Sequence, residues 1–75
     1  MEDSETRRER FKRLATLRTN TILERLRILG HCANKSAYEY DEKEVDRIFS
    51  AIEDELRMIK SKFKAENRQT RQFKL

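Results

Sequence analysis

The chain has 75 residues, 18 of them Lys or Arg against 14 Asp or Glu, for a net charge of +4. That length allows one small domain and no large core, and the lone Cys32 rules out an intramolecular disulfide. One histidine, His31, beside one cysteine gives too few ligands for a structural zinc site, and a single glycine cannot build a phosphate-cradling loop.

No nucleophile–base spacing can be read from an isolated His-Cys pair. The expectation is therefore no enzymatic activity, no cofactor, no metal and no small-molecule substrate. Cys32 reads instead as a small buried thiol. No apolar run exceeds two residues, which predicts neither a membrane span nor a signal peptide and makes the cytosol the expected location.

Without proline, and with Gly30 as its one glycine, the chain permits long helices. In the first segment Phe11, Leu14, Ala15, Ile22, Leu26, Leu29 and Cys32 fall on one stripe at 100° per residue, with Leu17 and Ile28 at its edge. The spacing predicts a helix over about 5–33, with Ser4 as its N-cap and Glu5 in its first turn. Gly30 or Asn34 would close it in a left-handed conformation, Asn34 being preferred because Cys32 still lies on the stripe.

A joint over about 34–40 follows. Ser36 is expected to hold the turn through its hydroxyl. Asp41 and Glu44 form a capping box for a second helix over about 42–66, and Tyr40 is placed to staple Val45. That helix carries Val45, Ile48, Phe49, Ile52, Leu56, Ile59 and Phe63 on its stripe. Residues 67–75 read as a basic, flexible tail.

These elements predict an all-α fold, an antiparallel two-helix hairpin over residues 1–66. One hairpin leaves its stripes short of cover. Pairing of two hairpins into a four-helix bundle, or docking on a larger partner, is expected to complete it.

Charge is distributed unevenly. Residues 7–13 carry a net +4 through Arg7, Arg8, Arg10, Lys12 and Arg13, and residues 60–75, which include Lys60, Lys62 and Lys64, carry +5. Residues 38–59 carry −5. An antiparallel hairpin would gather the two basic segments into one pole, suited to nucleic acid or to an acidic protein surface.

Arg18 and Arg25 interrupt the first stripe. They are expected either to meet Asp46, Glu53 and Glu55 of the second helix or to contact a partner's phosphate or carboxylate. In the joint, Lys35 and Tyr38 remain as possible partner contacts once the other residues are assigned to turn and caps. No zinc finger, heptad-rich basic region or other nucleic-acid module is visible.

The residues RFKRLATLRTNTILERLRILG, CANKSAYEY, DEKEVDRIFSAIEDEL and KSKF, which lie between Arg10 and Phe63, resemble a group of short, functionally uncharacterised proteins of bacteria, phages and mobile elements. The most specific part is Gly-x-Cys-x-Asn-Lys-Ser-x-Tyr-x-Tyr followed by a helix start. His31 and Asp41 stand where Asn and Thr are more usual. The resemblance implies a shared hairpin and carries no activity or binding residue. The expected function is a non-enzymatic accessory or binding subunit that docks through its apolar helix faces, its basic pole on nucleic acid. A nucleic-acid-binding homodimer and a purely protein-directed adaptor or inhibitor are the alternatives.

Overall fold

The computed structural model describes the backbone of residues 4–70 and the side chains of residues 4–67. Among the described residues the protein is all-helical, with two α-helices and no strand. It divides into two units, Met1–Glu39 and Tyr40–Leu75.

In the first unit, α1 spans Arg7–Gly30 and passes into a 3-10 turn, His31–Ala33. Its N-cap is Thr6, not Ser4. The Thr6 hydroxyl accepts from the Glu9 N–H at 3.0 Å, and the Glu9 carboxylate accepts from the Thr6 N–H at 3.0 Å. Two of the four unpartnered N–H groups at this helix start are satisfied by that reciprocal pair. Glu5 thereby lies outside the helix rather than in its first turn.

The C-terminal end of α1 also departs from expectation. Neither Gly30 (φ −59°) nor Asn34 (φ −70°, ψ 101°) is left-handed. The helix tightens into the 3-10 turn, whose i to i+3 bonds use up the last carbonyls without a left-handed residue. The His31 N–H donates to the carbonyls of Ile28 and Leu29, and the Asn34 N–H donates to the His31 carbonyl at 3.3 Å.

Asn34 then makes the turn. Its carbonyl accepts from Ala37 at 3.1 Å and Tyr38 at 3.0 Å, and its side-chain Oδ1 accepts from the Ser36 N–H at 3.0 Å. Ser36 thus takes part through its backbone rather than through its hydroxyl: a short Asn side chain reaches the N–H two residues on and mimics a backbone turn. Cys32, expected to be buried, is exposed at this end because the 3-10 segment has nothing packed over it within its unit.

In the second unit, α2 spans Glu42–Thr70. Its start agrees with the sequence reading: the Asp41 carboxylate accepts from the Glu44 N–H at 2.8 Å, and the Glu44 carboxylate accepts from the Asp41 N–H at 2.9 Å. Tyr40 and Val45 are half-buried beside exposed neighbours, as a hydrophobic staple requires. At its other end α2 runs past residue 66, so residues 67–70 are helical rather than tail. The run Glu66-Asn67-Arg68-Gln69 contains no Gly or Pro to stop it. Residues 71–75 of the expected tail, Phe73 included, lie outside the described residues.

No described residue is buried. On α1, Phe11 is 51% exposed and Leu26 40%; on α2, Leu56 is 50% exposed and Phe63 58%. The stripes exist at the predicted spacing, and each helix alone leaves its stripe open.

Two substitutions test these local assignments. Asp41→Ala removes the acceptor for one N–H and leaves the other half of the box without its mate, so it should cost about 1 kcal/mol, read as a lower melting midpoint by circular dichroism. Gly30→Ala should raise stability by about 0.5–1 kcal/mol, because an added methyl meets nothing within 4 Å and the residue is already right-handed. A destabilised Gly30→Ala variant would show that the turn needs a conformation only glycine reaches.

Candidate nucleic-acid and partner interface

The basic residues of α1 do not form one face. At 100° per residue, Arg7, Arg8, Arg10, Lys12 and Arg13 encircle the first two turns. They make a collar, of which a single phosphate backbone can touch about half at once. All five are exposed.

Part of the collar is already engaged. Arg13 donates from Nε and Nη2 to the two carboxylate oxygens of Glu5 at 2.8 and 2.9 Å, a bidentate pair. Arg10 lies 3.9 Å from the same carboxylate. The hydrogen bonds from Arg13 hold the Glu5 carboxyl below its ordinary value, and the same pair holds Arg13 above its own. Glu5 can do this because it precedes the N-cap: the chain leaves the helix axis there and brings residue 5 alongside residue 13. That eight-residue spacing is not one at which residues of a helix face each other, so helical periodicity did not reveal it.

On α2, Lys60, Lys62 and Lys64 are exposed. Lys60 and Lys64 border the apolar stripe on one side and Lys62 borders it on the other, since a two-residue step turns a helix by about 200°. The expected triad is therefore split. The collar belongs to the first unit and the three lysines to the second.

Arg18 and Arg25 lie at the middle of the α1 stripe, between Phe11 and Leu29, and are exposed. Neither has an ion pair among the described residues. In the joint, the Tyr38 ring is 54% exposed while its N–H is held by Asn34. Lys35 is exposed in the same turn. Arg57 pairs with Asp54 one turn earlier, on the side of α2 away from the stripe.

Among the described residues no group of three His, Cys, Asp or Glu side chains is placed to hold a metal ion, and no helix is long and apolar enough to cross a membrane. A depression on α1 beside Lys12, Arg13, Thr16, Leu17 and Asn20 is open to solvent.

The Glu5–Arg13 pair has a pH signature. A carboxyl held below its ordinary value stabilises the fold above that value, and the contribution is lost as pH falls through the lowered value. Unravelling of the first turn of α1 should therefore begin below about pH 4.3, the ordinary glutamate value, and Glu5→Gln should abolish that step. At neutral pH the same substitution should release Arg13 and tighten binding to a phosphate polymer. The log–log salt slope should steepen by about 0.7–0.9, one further phosphate contact. An unchanged slope in anisotropy titrations would show that Arg13 makes no phosphate contact.

Comparison with protein-family models, curated proteins and solved structures found no match to this chain.

Proposed function

We propose that the protein is a small, non-enzymatic accessory subunit of the cytosol, a helical hairpin that docks by its apolar helix faces and contacts nucleic acid through its basic residues. The observation that carries this reading is the conjunction on each helix of an uncovered apolar stripe with exposed cations. Phe11, Ile22 and Leu26 on α1, and Phe49, Leu56 and Phe63 on α2, all stand open. A stripe of that kind needs a partner to be covered.

In the hairpin the Asn34 turn reverses the chain and sets α1 antiparallel to α2. The collar of α1 and the lysines of α2 then share one end, an electropositive pole for the sugar-phosphate backbone. Arg18 and Arg25 stay at the middle of the α1 stripe, where a guanidinium fits a carboxylate or phosphate of the docked assembly through paired hydrogen bonds. Lys35 and Tyr38 form the tip at the opposite end. A larger protein–nucleic acid assembly suits all of these surfaces. The resemblance to short proteins of phages and mobile elements supports the same hairpin.

Backbone charge would dominate this contact, so binding should depend weakly on sequence and steeply on salt, with a slope of about −0.9 per phosphate neutralised on duplex DNA and about −0.7 on single strands. The variant Arg7→Glu, Arg8→Glu, Lys12→Glu should lose most of that slope while keeping its helix content, since all three side chains are exposed. Electrophoretic or anisotropy titrations against duplex DNA and RNA measure it. If the parent binds neither polymer at low salt, the collar is only a solvated face, and a protein-directed adaptor replaces this reading.

A further inference from the structure

Along α2, the apolar positions Val45, Phe49, Ile52, Leu56, Ile59 and Phe63 follow steps of four, three, four, three and four residues. That is the 3.5-residue repeat of a coiled-coil seam, not merely a helix face. On α1, arginines 18 and 25 break the corresponding stripe. The α2 seam asks for a helix with a matching seam, and α2 itself is one.

The charges bordering the seam specify how two copies would meet. On one border lie Asp46, Glu53 and Lys60; on the other lie Ile48, Glu55 and Lys62. Acids thus occupy the first half of the helix and lysines the second. Side by side in parallel, facing border positions are offset along the helices, so Glu55 alone would meet a lysine, Lys60 of the second copy, while Glu53 would meet Ile48. Antiparallel, the halves complement each other.

We infer that α2 pairs antiparallel with α2 of a second copy of this chain, about a two-fold axis between Arg57 and Met58. In that register Glu53 faces Lys60 of the second copy and Glu55 faces Lys62 of the second copy, each twice by symmetry. Leu56 packs on Ile59 and Ile52 on Phe63 across the seam.

Two features of α2 agree with this placement. A shift by one heptad toward the N-terminal end would bring Glu53 and Glu55 each against its own copy, whereas this register opposes no like charges on either border. The four charged residues are also uncommitted within α2: none of Glu53, Glu55, Lys60 and Lys62 has an ion pair among the described residues, whereas Asp54 and Arg57, on the outer side, pair with each other.

This inference rests on the reading of the α2 stripe as a docking face and is independent of where α1 packs and of any phosphate contact. It deepens that reading by naming the occupant. Such exposed ion pairs add little affinity individually; their effect is to select antiparallel over parallel and this register over its neighbours.

The test uses the full chain. Sedimentation equilibrium should show the parent self-associating at micromolar concentration. Glu53→Lys with Glu55→Lys, and separately Lys60→Glu with Lys62→Glu, should each weaken self-association at least tenfold. An equimolar mixture of the two double variants should associate as well as the parent or better, which also shows that both remain folded. A parent that stays monomeric at 100 µM, or a mixture no better than its components, overturns the inference. Orientation is read from a spin label at Lys43→Cys in a Cys32→Ser chain. Antiparallel pairing places the two labels on the order of 40 Å apart at 1.5 Å per residue, whereas parallel helices 8–10 Å apart place them within roughly 20 Å. The short distance overturns it as well. Loss of self-association with salt-dependent nucleic-acid binding intact removes this pairing and leaves the phosphate reading standing.

Discussion

An amphipathic helix has no means of covering its own apolar face. In α2, six side chains of the seam point along one line, and every one of them would bring roughly 1.5–3 kcal/mol if fully buried. None is buried within its unit. Helix formation itself costs conformational entropy that hydrogen bonds along one short helix scarcely offset. Whatever orders this chain in solution must therefore cover those faces, so the identity of the cover is the central question about the molecule. The hairpin, the larger assembly and the second copy are three ways of meeting the same demand. The hairpin and the self-pairing of α2 draw on the same acids, Glu53 and Glu55, matched to Arg18 and Arg25 in the one and to Lys60 and Lys62 in the other.

What holds the helices at their ends is local. Each α-helix starts with a reciprocal capping box, Thr6 with Glu9 and Asp41 with Glu44. The turn that follows α1 within the first unit depends on one residue, Asn34, through both its backbone and its side chain. These devices fix where helices begin and where the chain turns. They contribute little to deciding what the apolar faces touch. A change at Asp41 should therefore alter helix stability, while a change at Glu53 should alter assembly, and the two effects should separate cleanly because the residues share no partner.

The sequence disclosed those parts whose physics is periodic or short in range. The α2 stripe and the Asp41–Glu44 box could be read because both depend on residues three or four apart. The same signal was present at Thr6–Glu9, where a threonine stands three residues before a glutamate, but Ser4 was the expected cap. Asn34 was legible as a helix-ending residue and not as to its conformation: an Asn can serve either by adopting a left-handed backbone or by lending its side chain to a following turn, and the choice depends on how the preceding helix tightens. The site was less legible. A charge count finds the basic residues of 7–13, yet it cannot show that they ring the helix or that Glu5 occupies Arg13. The first follows from helical geometry, and the second from a chain path outside the helix.

The dispersal of the apolar residues has a consequence for the chain when it lacks a partner. Because no two-residue apolar pair is extended by a third, a β-strand drawn from this chain would place the members of each pair on opposite faces, among charged neighbours. Steric zippers require uncharged, strand-forming segments of six or seven residues; the run of that length without Asp, Glu, Lys or Arg, residues 28–34, is broken by Gly30 and ends on Asn34, both poor strand formers. Its hydrophobicity becomes coherent only when wound at helical pitch. Deprived of its cover, the protein should loosen into a charged coil that stays dispersed and can be recaptured, rather than condense into fibrils.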